Sequence, residues 1–453
     1  MLSLPDLLRA IASGELSPSE HVDDVLSRLD ADRTNSVVLL DADRARARAA
    51  ELSAMSARGE WAGPLHGVAV GIKDVVDVEG LPTRCGSRIL DGAPPAAVDA
   101  PVVAMLRAAG AVVVGKLHTH EFAYGPTGDA AASGPARNPH DPARITGGSS
   151  SGPAAAVAAG HLPLAVGTDT GASVRTPAAL CGVAGLKPRR GALPGAGVFP
   201  LAESFDTVGL LAADAASLAV ARRALASGSG TGAAHRSGNG DRRPPVPGRP
   251  GAGPGSGPPL RIGVASGAWW RPHDPVIADA VRTAADALTA LGADLSEQDT
   301  PGIEELAATY PLITGAEAYA THREWFATRR DEYQPVTAAR IAPNAELPAH
   351  TYVDARRTRT RCSAALLAHL RCEVLLCPTT RLRATPIGAS DVDGVPVRPS
   401  MLELTSPFNL TDRPVVALPV PVPGLPAGVQ LVGITAGEDA LLDLAGALEG
   451  VLR

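Results

Sequence analysis

The feature that most restricts the fold of this chain is a rhythm that begins at Gly67. GVAVGIKDVV, AVVVGKL and PLAVGTDT are short apolar runs set between Ala-rich helical segments. Runs that are apolar throughout, not alternately apolar and polar, belong to strands covered on both faces. The pattern predicts an α/β fold, a mostly parallel β-sheet with helices on both faces. Ahead of it, Ser17-Pro18-Ser19-Glu20 is a capping box with proline at the first helical position. Val22, Val25, Leu26 and Leu29 then form an apolar stripe at helical spacing, and a second helix is expected from about Asp41 to Met55.

Ser227 to Pro259 is built almost wholly from Gly, Pro, Ser, Ala and Arg. Such a stretch buries too little apolar surface to offset its ordering entropy, so 227–259 reads as a flexible insert or linker. Beyond it RIGVASG resumes a strand, Asp274 to Leu291 a helix, and about Glu305 to Leu370 is mostly helical. EVLLCP, VVALPVPV and VQLVG supply the last strands. Strands on the two sides of the insert look alike, which favours one sheet interrupted by a loop.

A net charge of −6 supplies no positive field for nucleic acid. The arginines of Arg44–Arg48 and Arg356–Arg361 recur at helical spacing and read as solvated helix faces. Five cysteines without paired spacing argue for free thiols in a reducing compartment. There is no basic-then-apolar leader and no run of 18 apolar residues, so a cytoplasmic protein without membrane contact is expected.

Three motifs carry chemistry: GIKD at Gly71–Asp74, TGGSSSG at Thr146–Gly152 and GTDTGASVR at Gly167–Arg175. Alone, each has an ordinary reading: a strand-end lysine, a phosphate-cradling or plain turn, a glycine turn. Together they offer Lys73, Ser149 and Ser173 as base, bridge and nucleophile. Ser173 follows a strand and a glycine turn, so the N–H groups of Thr170, Gly171, Ala172 and Ser173 are natural donors to an oxyanion. Lys73 serves as a base only when neutral, and its apolar neighbours Val68, Val70, Ile72, Val75 and Val76 supply the burial that lowers a lysine pKa. Asp74 is adjacent, but alternation along a strand turns it away.

These segments resemble the amidase signature family. The likeness runs from about Pro64 to Ala213 and returns at Pro407–Gly433, through PLHGVAVGIKDVVDVEG, NPHDPARITGGSSSGPAAAVAAG, GTDTGASVRTPAALCGVAGLKP and SPFNLTDRPVVALPVPVPGLPAGVQLVG. It implies one large α/β/α domain over residues 1–453 around a mixed, mostly parallel β-sheet, and a Ser–Ser–Lys triad of Ser173, Ser149 (in a cis peptide) and Lys73, with no metal or cofactor. It also implies that Asp169, Arg175 and Asp206 are charged support around the site, taken as a buried ion network. Ala172 stands where the family has glycine, and would be strained if the site needed positive φ. Asp412-Arg413 and Arg381-Leu-Arg383 also depart from the pattern, in segments that could shape the pocket. Arg359 is a candidate carboxylate ligand, and Asp412 a candidate substrate contact.

The leading expectation is an amidase acting on a small-molecule amide through an acyl-serine. The alternative within the family is a glutaminase-type A subunit of a tRNA-dependent amidotransferase. A non-catalytic homologue is a third reading. His118-Thr119-His120-Glu121 raises a fourth, a metal-dependent amidohydrolase, since H-x-H on a strand puts both imidazoles on one face. The sequence leaves the oligomeric state open, a homodimer included.

Overall fold

The computed structural model describes residues 2–227 and 259–453. Apart from its two end residues, the insert at 227–259 lies outside the described residues. Eleven strands form one sheet. In chain order they are β1 (Val37–Leu40), β2 (Ala69–Lys73), β3 (Val112–Leu117), β4 (Leu164–Asp169), β5 (Ala184–Lys187), β6 (Thr207–Ala212), β7 (Arg261–Ala265), β8 (Asp294–Gln298), β9 (Val374–Pro378), β10 (Val415–Val420) and β11 (Ala427–Gly433). Across the sheet they run β1, β3, β2, β4, β6, β5, β10, β11, β9, β7, β8.

The sheet is mixed, as expected, but it is not mostly parallel. β2 is parallel to β3 and β4, and β7 is parallel to β8 and β9. The other six pairings are antiparallel. Alternating strands and helices predict parallel pairs only where a helix crosses over between neighbours. β5 and β6 are joined by a helix-free loop, and β10 turns back into β11 through a short Pro/Gly turn. Each of these reverses the chain.

Both faces of the sheet are covered, which is why the strands read as continuous apolar runs. Leu164 and Val166 of β4 join one core with Val113 of β3; Ala165 joins another with Val112 and Val114. The first core is closed by helices Pro101–Ala108, Ala215–Ser227, Pro275–Ala290 and Glu438–Leu452. The second is closed by Pro18–Asp30, Ala42–Ala57, Ser151–Ala158 and Arg175–Cys181. The Ser17 capping box forms as the sequence predicts. The helical stretch after β8 packs as Ile303–Thr328 against Ala349–His369. Among the described residues, no helix is long and apolar enough to cross a membrane.

The parallel group β3-β2-β4 decides where chemistry can sit. Parallel strands end on one edge, and the loops that leave that edge converge there. Lys73 is the last residue of β2 and Asp169 the last of β4. The motifs that are far apart in sequence therefore meet at one edge of the sheet.

Candidate active site

Lys73 is completely buried. Its Nζ lies 2.7 Å from Ser149 Oγ and 2.7 Å from Thr168 Oγ1. Burial pushes its pKa down to about 7, with Asp169, Asp206 and Cys85 opposing the shift. Near neutral pH a large share of such an amine is unprotonated and has a lone pair to offer. Asp74, just past the end of β2, faces elsewhere and pairs with the buried Lys116 at 3.1 Å.

Ser149 sits behind a cis Gly148–Ser149 peptide bond, as the family resemblance implied. The loop is fixed by its neighbours. Gly148 N–H donates to the Pro126 carbonyl at 2.8 Å. Ser150 N–H donates to the Ser173 carbonyl at 3.1 Å. The Ser150 hydroxyl donates to the Thr168 carbonyl at 3.1 Å and accepts from the Thr168 N–H at 3.2 Å. This clamp needs Gly167, because a Cβ there would lie 2.7 Å from Ser150 Oγ. Ser150 thus ties both serine loops to the end of β4.

Ser173 is 6% exposed, whereas Ser149 and Lys73 are at 0%, so of the three only Ser173 meets the outside. The helix after it begins at Arg175. The N–H groups of Val174 and Arg175 donate to Asp169 Oδ2 at 3.0 and 3.4 Å. Those of Gly171, Ala172 and Ser173 have no acceptor among the described residues. Ala172 is buried without positive φ, so the strain foreseen for an alanine there does not arise. Gly171 is needed for another reason: a Cβ would overlap the Tyr310 phenol and lie 2.9 Å from Leu402.

Asp169 and Arg175 form a completely buried ion pair at 2.7 Å. Burial alone would raise the Asp169 pKa, but Arg175, Lys187 and Asn409 hold it below the usual carboxylate range. Arg175 also donates to the carbonyls of Gly171 at 3.0 Å and Thr405 at 2.7 Å, and to Asn409 Oδ1 at 2.5 Å. This part of the expected network is an ion pair that stitches the Ser173 loop to the Thr405–Asn409 segment. Asp206 is different. It has no cationic partner among the described residues; it accepts from Thr170 Oγ1 at 2.6 Å and from the Leu201 and Ala202 N–H groups. Burial lifts its pKa to about 6.

The outlying candidates are engaged elsewhere. Arg359 Nε donates to the Leu410 carbonyl at 2.9 Å, and its guanidinium covers the Phe205 ring at 4.6 Å. Phe205 stacks on Tyr310, so Arg359 stands behind two aromatic layers from Gly171. Asp412 accepts from the Arg190 N–H at 2.8 Å. Arg381 pairs with Glu403, Arg383 with Asp274, and Arg413 donates to the Ile434 carbonyl. The H-x-H segment lies beyond the end of β3, so strand geometry does not align its imidazoles. His118 bonds Ser151 and the Gly134 carbonyl, while His120 faces Gly128 and Arg340. No group of three metal-ligating side chains forms among the described residues.

Sequence reasoning passed over Thr168, Ser150, Tyr310 and Asn409. The first two adjoin motif residues and were legible as hydroxyls at a strand end and a helix start. Tyr310 is brought in by chain reversal more than 130 residues downstream of Ser173, and no local pattern marks it; Asn409 lies in the SPFNL segment of the family resemblance, where no role had been read for it.

The amidase family model matches residues 20–442. This chain belongs to the amidase family. It is 36% identical to AtzE, the 1-carboxybiuret hydrolase subunit of Pseudomonas sp. strain ADP, over 448 residues, covering 96% of each protein. It is 35% identical to the A subunit of the glutamyl-tRNA(Gln) amidotransferase of Roseiflexus sp. strain RS-1, over 99% of this chain and 96% of that one. A crystal structure of an amidase superposes with a TM-score of 0.88 at 30% identity, covering all of both chains.

Proposed function

We propose that this amidase hydrolyses a carboxamide or related C–N bond of a small molecule through an acyl-Ser173 intermediate. The observation that carries the reading is a buried lysine with a pKa near 7, 2.7 Å from Ser149 Oγ, at the loop that also binds the Ser173 backbone. Ser173 Oγ attacks the amide carbonyl and gives its proton to Ser149, whose own proton passes to Lys73. The negative charge on the carbonyl oxygen is received by N–H groups of the Thr170–Ser173 turn. Collapse breaks the C–N bond, and the proton returns through Ser149 to the leaving amine. Water then repeats the sequence on the ester, releasing the acid and restoring Ser173. Asp169, Arg175 and Asp206 hold the loop and transfer no proton.

The reaction asks for no metal and no cofactor. The five described cysteines are free and buried, which supports a reducing compartment such as the cytoplasm. Strands from both sides of 227–259 enter one sheet, which supports one domain over 1–453. A second reading is favoured by the likeness to the Roseiflexus amidotransferase protein. Here the same triad would release ammonia from glutamine for a partner.

Intact-mass spectrometry after fluorophosphonate treatment tests the mechanism. One adduct on the wild type, absent from Ser173→Ala and slow in Ser149→Ala and Lys73→Ala, is expected. A folded wild type that takes no adduct, or takes one that survives Ser173→Ala, overturns it. Glutamine turnover that appears only with a co-purified partner would favour the second reading.

A further inference from the structure

The Ser173 turn is held from two sides. On the helix side the Val174 and Arg175 N–H groups donate to Asp169, the Arg175 guanidinium donates to the Gly171 carbonyl, and the Thr176 N–H donates to the Ala172 carbonyl at 2.8 Å. Gly171 and Ala172 have no polar side chain, so on the strand side the hold falls to Thr170. Its buried hydroxyl donates to Asp206 Oδ1 at 2.6 Å. Thr170 immediately precedes the three N–H groups that have no acceptor among the described residues, so a rotation there redirects all of them.

Asp206 is itself set in a frame. Its Oδ2 accepts the Leu201 and Ala202 N–H groups at 2.9 and 3.1 Å, and its own N–H donates to the Ala202 carbonyl at 2.9 Å, which closes 201–206 into one turn. Two helices bolt that turn down. Glu317 of Ile303–Thr328 accepts the Ser204 N–H at 3.0 Å and the Ser204 hydroxyl, and also the Tyr352 hydroxyl of Ala349–His369 at 2.9 Å. Phe205 meets Tyr310 of the first helix and Arg359 of the second. An O–H···O contact of 2.6 Å has the length of a charge-assisted bond to an ionised carboxylate. Protonated Asp206 would turn its own O–H toward Thr170 and release the threonine proton. Of the charged groups around it, Lys73 of β2 feels its negative charge and Glu317 repels it. Asp169 and Arg175 are paired with each other, and Arg359 is turned to Phe205 and the Leu410 carbonyl. Burial, reinforced by Glu317, lifts the Asp206 pKa to about 6, below the value of about 7 at Lys73.

We propose that Asp206 is a positioning residue of the oxyanion turn: as the anion, and through the Thr170 hydroxyl, it directs the Gly171–Ser173 N–H groups at the reacting oxygen. This rests on the amidase reading for what the turn receives. Loss of one oxyanion donor slows such enzymes by about a hundredfold to a thousandfold, so a turn left in place but misdirected should cost about tenfold or more.

The test is a double-mutant cycle on the rate of fluorophosphonate labelling at pH 8, with Asp206→Asn, Thr170→Val and the two combined. Each single variant should label about tenfold or more slowly, and the pair no more than about threefold below the slower single. The charge of Asp206 also acts directly on Lys73, but that effect does not pass through Thr170 and would survive in Thr170→Val. Losses that multiply, or an Asp206→Asn that labels at the wild-type rate, overturn the proposal. If Asp206→Asn does not fold by thermal melting, Thr170→Ser decides: it must recover most of the rate that Thr170→Val loses, and a Thr170→Ser as slow as Thr170→Val overturns the proposal. The pH profile tests the anion. Between pH 6 and pH 5 the wild-type rate should fall about fiftyfold, because Lys73 and Asp206 both take up protons, against about tenfold in Asp206→Asn. A wild type that falls only about tenfold, with its fold unchanged by circular dichroism, overturns the proposal. Failure of the amidase reading shows separately, as a wild type that takes no label at any pH.

Discussion

Thr168→Val isolates the contribution of one hydroxyl to the proposed base. Thr168 Oγ1 is one of two oxygens within 2.7 Å of Lys73 Nζ, and valine keeps its shape. An acceptor stabilises a charged donor by about 1.5–3 kcal/mol and a neutral one by about 1 kcal/mol. Removing it therefore penalises the protonated lysine by an extra ~0.5–2 kcal/mol, which lowers the Lys73 pKa by about 0.4–1.5 units. The sign follows from which form works. Attack needs neutral Lys73, so reactivity rises with pH to a plateau, with its midpoint at the folded pKa of about 7. The variant's midpoint should fall. At pH 6 the active fraction would grow from about 0.1 to between about 0.2 and 0.8, while the weaker base lowers the plateau. The assay is the rate of Ser173 labelling by a fluorophosphonate between pH 5 and 9, which needs no knowledge of the substrate. Thr168→Ser should return the midpoint to its original place. A midpoint that stays put or rises in Thr168→Val would refute Lys73 as the group whose deprotonation controls the nucleophile.

Other substitutions probe the frame around it. Gly171→Ala should leave a folded protein by circular dichroism yet slow labelling more than tenfold, because its Cβ overlaps Tyr310 and must displace the Ser173 turn. Asp169→Asn strands the completely buried Arg175 and should lower stability to urea by about 3–5 kcal/mol, with labelling lost. Glu449 is lifted to about 7 by burial, so between its ordinary value and pH 7 the folded chain holds a proton the unfolded chain has released. Stability should fall as pH rises through that window, and Glu449→Gln should flatten the fall in melts at pH 5 and 8. Turnover of any amide found should survive prolonged exposure to a strong chelator; its loss, and recovery with a metal salt, would revive the reading based on His118 and His120.

The fold was legible where a local signal fixes a local structure. Continuous apolar runs predicted strands covered on both faces, and Leu164 through Val166 do alternate between two cores. The capping box at Ser17 and the Asp274 cap fixed two helix starts. Strand direction was not legible, because nothing in the composition of β5 or β6 says whether the link between them crosses the sheet or turns back. That depends on the chain path of 188–206, which contains no helix.

The site divides in the same way. Lys73, Ser149 and Ser173 were readable because each sits in a short motif whose glycines serve a backbone geometry, and the parallel pairing of β2 with β4 brings the first two near the turn that holds the third. The same reasoning placed Arg359 and Asp412 in a substrate role, whereas their polar groups meet the Leu410 carbonyl and the Arg190 N–H. Substrate contacts come from whichever distant side chains the path after β8 delivers to the cavity, and a helix such as Ile303–Thr328 carries no mark of which turn will face Gly171. The proposed triad is tied to a strand edge, so its position follows from sheet geometry. Side chains of the cavity wall such as Tyr310 are tied only to the shape of the space left over, which is why identifying the substrate has to start from the cavity wall and not from the triad.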